Sequence, residues 1–331
     1  MTSFNSNLLD SITQSSSQQA WSEIANHLWS VFSSPIPSGM ADSELVKRDR
    51  SITELENTIS GACWDLWESF EKSVPKASEG ILDFWTRIHG GKAILILDGL
   101  SLRETPWLLE QASERGYKVH FAGAKGAELP CETSPFAKAL GFPQRSALEN
   151  NGAGSSHKLS GAATESSNLN WQDCAGLVGH SESVIFWHHY PDARMHDLSI
   201  PGEGLHKLAR EINEHLVSDE FWNFLDRLST GRRLVITSDH GYAACGLFPD
   251  LSDKDQVEYM KGLFKSGRAA ADSVDLGSWV PPIDLRLTTM HGTHRFVLGR
   301  RKWKSAGGYP TLHHGGLSLL EVFVPFIELS K

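Results

Sequence analysis

At 331 residues, 40% of them hydrophobic and 11 of them tryptophan, the chain can bury a large core, which suits one large α/β domain or that plus a smaller unit. A formal charge of −9 gives no bulk attraction to nucleic acid or anionic lipid, so any such partner has to use a local patch. Cys63, Cys131, Cys174 and Cys245 form no CxxC pair, which argues against a disulfide framework or a thiolate zinc site and fits a reducing compartment.

Met1 to Asp10 has neither a basic start nor a long apolar core, and no run of eighteen apolar residues occurs. The expected location is therefore the cytoplasm, with no membrane span. Between Gln19 and Phe32, Trp21, Ile24, Leu28, Val31 and Phe32 recur at helical spacing until Pro35 and Pro37 break the pattern. Ile52, Leu55, Ile59, Cys63, Leu66, Trp67 and Phe70 make one longer helical stripe, and Ile81, Leu82, Trp85 and Ile88 a third that stops at Gly90-Gly91. Residues 1–91 thus read as a helical N-terminal extension. Its aromatics either pack on the main domain, the plainer reading, or dock a protein partner.

From Lys92 the pattern changes. Ala93 to Leu97 is an apolar strand, Pro106 suits the first turn of a helix that Gly116 ends, and Lys118 to Ala122 is a second strand, so a βαβ unit begins here. Residues 144–183 are rich in Ser, Gly, Asn and Ala with weak periodicity, the composition of a flexible insertion. Val184 to Trp187 reads as a strand, 204–229 as helical, and Arg233 to Thr237 as another strand; Arg295 to Leu298, a Gly-rich turn and Leu317 to Leu329 close the chain. Alternating strands and helices of this kind predict a three-layer α/β sandwich with a mostly parallel sheet.

Four clusters then fall after strands or in Gly-rich turns: Asp98-Gly99, Asp192 with His196, Asp239-His240, and His314-Gly315-Gly316. The carboxyl ends of strands are where open α/β sheets place ligands. Each cluster alone has a plain explanation as a turn, a helix cap or a core histidine. Three carboxylates and three imidazoles on one rim, however, would be satisfied by a pair of zinc ions or other divalent ions.

These residues also carry a resemblance. Asp98 in LILDGLSLRE, Asp192 and His196 in YPDARMHD, Asp239-His240 in TSDHGY and His314 in LHHGGLSLLEVFVPF resemble the ordered metal ligands of the alkaline phosphatase superfamily. The closing HGG-x-SL-x-E-x-x-VP pattern is similar to the PglZ domain, a branch associated with bacterial anti-phage systems and signalling proteins. The resemblance spans residues 92–331 and implies an alkaline phosphatase-like sandwich. It implies one zinc on Asp192, His196 and His314, and another on Asp98, Thr133, Asp239 and His240. Thr133, in the Pro-x-x-Thr run Pro130–Thr133 and thirty-five residues after Asp98, corresponds to the nucleophile; Ser134 is the runner-up, and Ser101 is too close to Asp98. Cys131 does not sit in the Cys-x-Pro-Ser-Arg pattern of sulfatases. Where PglZ sequences carry an arginine three residues after the first Asp, this chain has Ser101, with Arg103 two positions on as the displaced substrate contact.

His313, His188 and His189 are alternative ligands, and His291, His294 and Arg295 are candidates for the phosphate pocket. Arg295, Arg300, Arg301, Lys302 and Lys304, with Trp303 among them, form the one run suited to a polynucleotide backbone, or else a solvated hairpin. The resulting expectation is a two-zinc phosphodiesterase working through a phosphothreonine on a nucleotide or oligonucleotide substrate. The rivals are a non-catalytic PglZ scaffold in a defence or signalling complex, and a phosphomutase.

Overall fold

Residues 93–97 are apolar without alternation because the strand they form, β1 (Gly91–Leu97), is covered on both faces. Its Ile94 and Ile96 enter one core while Ala93, Leu95 and Leu97 enter another. The computed structural model describes residues 6–200, 204–272, 280–305, 308 and 310–331. Part of the N-terminal stretch read for a leader, residues 1–5, and part of the Gly-rich turn before His314 lie outside them.

Among the described residues, six helices precede β1: α1 (Ser6–Gln14), α2 (Ser17–Phe32), α3 (Ala41–Ser51), α4 (Thr53–Ala62), α5 (Trp64–Ser73) and α6 (Ala77–Arg87). After it come α7 (Thr105–Glu114), β2 (Lys118–Gly126), α8 (Thr133–Ala139), β3 (Ala163–Ser167), α9 (Trp171–Leu177), β4 (Ser183–His188) and α10 (Asp192–Asp197). The chain continues through α11 (Gly204–Val217), α12 (Asp219–Ser229), β5 (Arg232–Thr237), α13 (Lys254–Phe264), β6 (Ala269–Ala271), β7 (Asp284–Thr289) and β8 (Gly292–Val297). It ends with α14 (Leu319–Val322) and β9 (Phe323–Ser330).

The central sheet has six strands in the order β2-β9-β5-β1-β4-β3. β1 runs parallel to β4 and β5, and β3 parallel to β4, while β9 is antiparallel to both β5 and β2. This is the mixed α/β architecture with a mostly parallel sheet that the element pattern predicts. Helices cover both faces: α2, α5, α6 and α8 on one, and α7, α9, α11 and α12 on the other. A small antiparallel sheet, β6-β8-β7, has its own core with α13, centred on Met260, Phe264 and Trp303. No helix among the described residues is long and apolar enough to cross a membrane.

Three departures from the sequence reading have local causes. The stripe from Ile52 to Phe70 is two helices, because Cys63 adopts φ −119°, ψ 53° and interrupts the ladder. The β1–α7–β2 unit does not place its strands side by side, since β5 and β9 intervene. Residues 144–183, expected as a flexible insertion, supply the edge strand β3 and helix α9. β3 escapes hydrophobic patterning because it is polar; its register is held by Thr164, whose N–H donates to Asn151 Oδ1 (3.1 Å) and whose hydroxyl donates to the Leu148 carbonyl (3.0 Å).

Among the N-terminal helices, α2, α4, α5 and α6 pack on one sheet face, while Leu45 and Val46 of α3 join the core of the other. Trp21 on α2 packs against Trp67 and Phe70 on α5 at 5.0 and 5.1 Å and against Phe323 at the start of β9 at 5.9 Å. All four rings are buried. Trp67→Ala should therefore cost about 3–5 kcal/mol of folding stability, read as a lowered urea midpoint, with the sheet and the N-terminal helices unfolding in one transition.

Candidate metal centre

β1, β4 and β5 are neighbours and parallel, so their carboxyl ends share one rim. Asp98 follows β1, Asp192 opens α10 just after β4, and Asp239-His240 follow β5. β9 is antiparallel to β5, which brings its amino end, and His314 ahead of it, to that same rim. β2 runs opposite to β9, so the segment after it delivers Thr133 there too.

Two groups of ligand atoms result, Asp98 with Asp239 and His240, and Asp192 with His240 and His314, each close enough to share one ion. His240 belongs to both. Its Nε2 is 3.5 Å from Asp98 Oδ1 and 3.5 Å from Asp239 Oδ2. Its Nδ1 donates to the Gly241 carbonyl at 3.0 Å, which fixes the ring and directs Nε2 at the acids. His314 is built the same way: Nδ1 donates to the Cys131 carbonyl at 3.0 Å, and Nε2 lies 3.6 Å from Asp192 Oδ1. The two rings stack at 4.1 Å. His196, half exposed, brings Nε2 to 3.2 Å from His314 Nε2 and 3.4 Å from Asp192 Oδ1.

Two glycines make this approach sterically possible. A Cβ on Gly241 would sit 2.1 Å from the Leu320 carbonyl oxygen, and Gly99, at φ +74°, lies where a Cβ would be 3.0 Å from that of Asp192. Gly99 also donates its N–H to Asp239 Oδ1 at 3.1 Å.

Asp98, Asp239 and His240 are fully buried. Burial first, then Asp239 and Asp192, push the Asp98 carboxyl well above the usual carboxylate range, and burial raises Asp192 as well. Burial alone would depress His240, but Asp239, Asp192 and Asp98 raise it to about 9. Burial, with His240 and His313 beside it, lowers His314 well below the ordinary imidazole range. Asp98 Oδ1, Asp192 Oδ1, Asp239 Oδ2 and His240 Nε2 are buried polar atoms without a hydrogen-bond partner among the described residues. Four such atoms facing one another carry a large desolvation cost, and an oxygen- and nitrogen-binding divalent cation fits them chemically.

Thr133, the first residue of α8, donates its hydroxyl to Asp98 Oδ2 at 3.5 Å, whereas Ser134 is exposed. Arg145, unremarked in the sequence, ion-pairs with that same oxygen and is about a quarter exposed. It lies in the segment whose composition suggested a loop, so no pattern marked it.

The remaining candidates lie elsewhere. Arg103 does not face the rim: it is fully buried, bonded to Asp49 and to the Tyr242 carbonyl. His294 and Arg295 sit on β8 in the small sheet, with Arg295 paired to Asp284 at 2.9 Å. His291 bonds Glu128 at 3.1 Å, His188 the Leu169 carbonyl at 2.8 Å, and His189 Ser166 at 3.0 Å. The cationic run is largely internal: Arg300 is buried between Asp49 and Glu56, Lys302 pairs with Asp250, and Trp303 is buried with Nε1 donating to the Lys265 carbonyl. Of the two readings of this run, a polynucleotide surface or a solvated hairpin, neither describes Arg295, Arg300 and Lys302, whose charges are paired within the fold, while Lys304 is exposed.

No family model matches the chain, and no curated protein does. Among solved structures it is similar to murine ectonucleotide pyrophosphatase/phosphodiesterase 5, alone and as an inactive variant in complex with AMP. The identity is 12% and the TM-score 0.46, over 72% of this chain and 87% and 88% of those chains respectively.

If the orphaned atoms are cation ligands, Zn2+ at a hundredfold excess over its dissociation constant should raise folding stability by about 2.7 kcal/mol. Chelator should reverse the gain and Asp239→Asn should remove most of it, as read by thermal unfolding.

Proposed function

We propose that the chain is a divalent-metal phosphohydrolase of the alkaline phosphatase type, acting on a nucleotide-sized phosphodiester, with Thr133 as nucleophile. The observation that carries the reading is the set of four buried ligand atoms without a hydrogen-bond partner on Asp98, Asp192, Asp239 and His240, with a hydroxyl 3.5 Å from Asp98. Asp98, Asp239 and His240 would hold one zinc, and Asp192, His314 and His196 the other, with His240 within reach of both. Bound there, the ions supply charge neutralisation at phosphoryl oxygens and lower the pKa of a hydroxyl.

The protein's own part follows from placement. Thr133 Oγ is oriented by its bond to Asp98 and attacks phosphorus, forming an Oγ–P bond as the bond to the leaving alkoxide breaks, its hydroxyl proton passing to solvent and the alkoxide taking up one in turn. Water then attacks the phosphothreonine in line, which restores the hydroxyl and releases the second product. Arg145, anchored on Asp98 and still partly exposed, is placed to draw a phosphoryl oxygen toward Thr133 by a charge-assisted bond. A small substrate is favoured over a long polynucleotide because Arg295, Arg300 and Lys302 are already paired. The PglZ-like closing motif adds a setting in bacterial defence or signalling to this reading.

The test is hydrolysis of bis(p-nitrophenyl) phosphate against p-nitrophenyl phosphate, with zinc and with chelator. Thr133→Ala should fall to background while Ser134→Ala stays active, and Arg145→Ala should lose roughly 100- to 1,000-fold. Stoichiometric metal without turnover of either ester would overturn the enzyme reading in favour of a scaffold.

A further inference from the structure

We propose that helices α3 and α4 position the metal-ligand loops from behind, through Asp49 and Glu56, so that the N-terminal layer is a working part of the centre. The inference rests on the divalent-metal reading above. It starts from Arg103, which lies five residues after Asp98 and does not reach the rim.

Asp49, on α3, is fully buried. Its carboxylate takes Arg103 through Nε and Nη2, both at 2.6 Å, and also pairs with Arg300. Arg103 Nη1 then donates to the carbonyl of Tyr242, two residues beyond His240, at 2.7 Å, and to Ser101 Oγ at 3.1 Å. The guanidinium lies over the Tyr242 ring at 4.5 Å, and the Tyr242 hydroxyl donates to Glu104 at 2.6 Å. The loop carrying Asp98 and the loop carrying Asp239-His240 are thus joined through one arginine, whose charge is held by α3.

Glu56, on α4, does the same for the third loop. It pairs with Arg300 and accepts the Leu319 N–H at 2.8 Å, at the start of the helix that follows the His314-Gly315-Gly316 turn. Within that turn Glu321 accepts the N–H groups of Gly316 (2.9 Å) and Ser318 (3.1 Å), and Arg268 holds Glu321 at 2.7 Å. Apolar side chains of equal volume would bury the same surface, but they would give the ligand loops no directional bonds. Ligand atoms have to stay within about 0.5 Å of their bonding geometry. An arginine held by Asp49 through two nitrogens and bonded through the third to the carbonyl two residues beyond His240 supplies that constraint.

The experiment compares the full chain with Asp49→Asn, which keeps shape and removes charge. Zn2+ affinity is measured by competition with a chromophoric chelator, and the Co2+ form by its visible absorption. Asp49→Asn should bind Zn2+ roughly 10- to 100-fold more weakly, with altered cobalt bands and an unchanged far-UV spectrum. Ser101→Ala, which removes two bonds of Arg103, from its N–H and from Nη1, and no charge, should weaken binding in the same direction by less. A folded Asp49→Asn chain with wild-type Zn2+ affinity and cobalt bands overturns the inference; if that variant does not fold, unchanged affinity in Ser101→Ala does so. A wild-type chain that binds neither ion sinks the metal reading itself, a result distinct from equal binding by wild type and variant.

Discussion

Everything at the rim depends on three carboxylates, Asp98, Asp192 and Asp239, brought largely out of water around the His240 imidazole, with His314 and His196 beside Asp192. Like charges at such range cannot all stay ionised in a low-dielectric setting without compensation. Within the chain that compensation comes from His240, raised to about 9 by its acidic neighbours, and from the Arg145 guanidinium on Asp98. Both are replaceable, since a divalent cation needs His240 neutral and Asp98 ionised, and binding would release the imidazole proton. The site is costly as a structural feature and economical as a binding one. That asymmetry is the physical argument for function.

A concentration of charge of this kind also needs a stiff frame. Three buried arginines, Arg103, Arg268 and Arg300, stand behind the ligand loops against Asp49, Glu56, Glu104 and Glu321. Burial lifts Glu56 and Glu104 to about 7. Buried ion pairs add little net stability over well-packed apolar side chains. What these pairs contribute is direction: they end on backbone groups two to five residues from a candidate ligand.

The legible parts of the molecule were those with local physical signatures. β1, β4 and β5 could be read because burial on both faces leaves uninterrupted apolar runs, and the aspartates and histidines after them because a glycine or turn follows each strand. Gly241 illustrates the point, since only a residue without Cβ can pass 2.1 Å from the Leu320 oxygen. The edge strand β3 left no such mark, being five residues of polar and small side chains held by hydrogen bonds to side chain and carbonyl groups a dozen or so residues away. Arg145 was hidden for the same reason.

The cationic run from Arg295 to Lys304 is the opposite case, a strong local signal whose meaning is set by partners outside the run. Five cations in ten residues look like a surface for phosphate, yet Arg300 finds Glu56 244 positions earlier in the chain. Sequence spacing says nothing of such a partner, because loop closure over long stretches adds little entropic cost once the fold brings the segments together. The same long-range pairing gives the first ninety residues their meaning. They read as an appendage because their helical stripes are complete in themselves, whereas Trp21, Trp67, Asp49 and Glu56 all find partners at or beyond the sheet. These helices contribute to both cores and, through Asp49 and Glu56, bond to the arginines and backbone behind the loops that carry the candidate ligands.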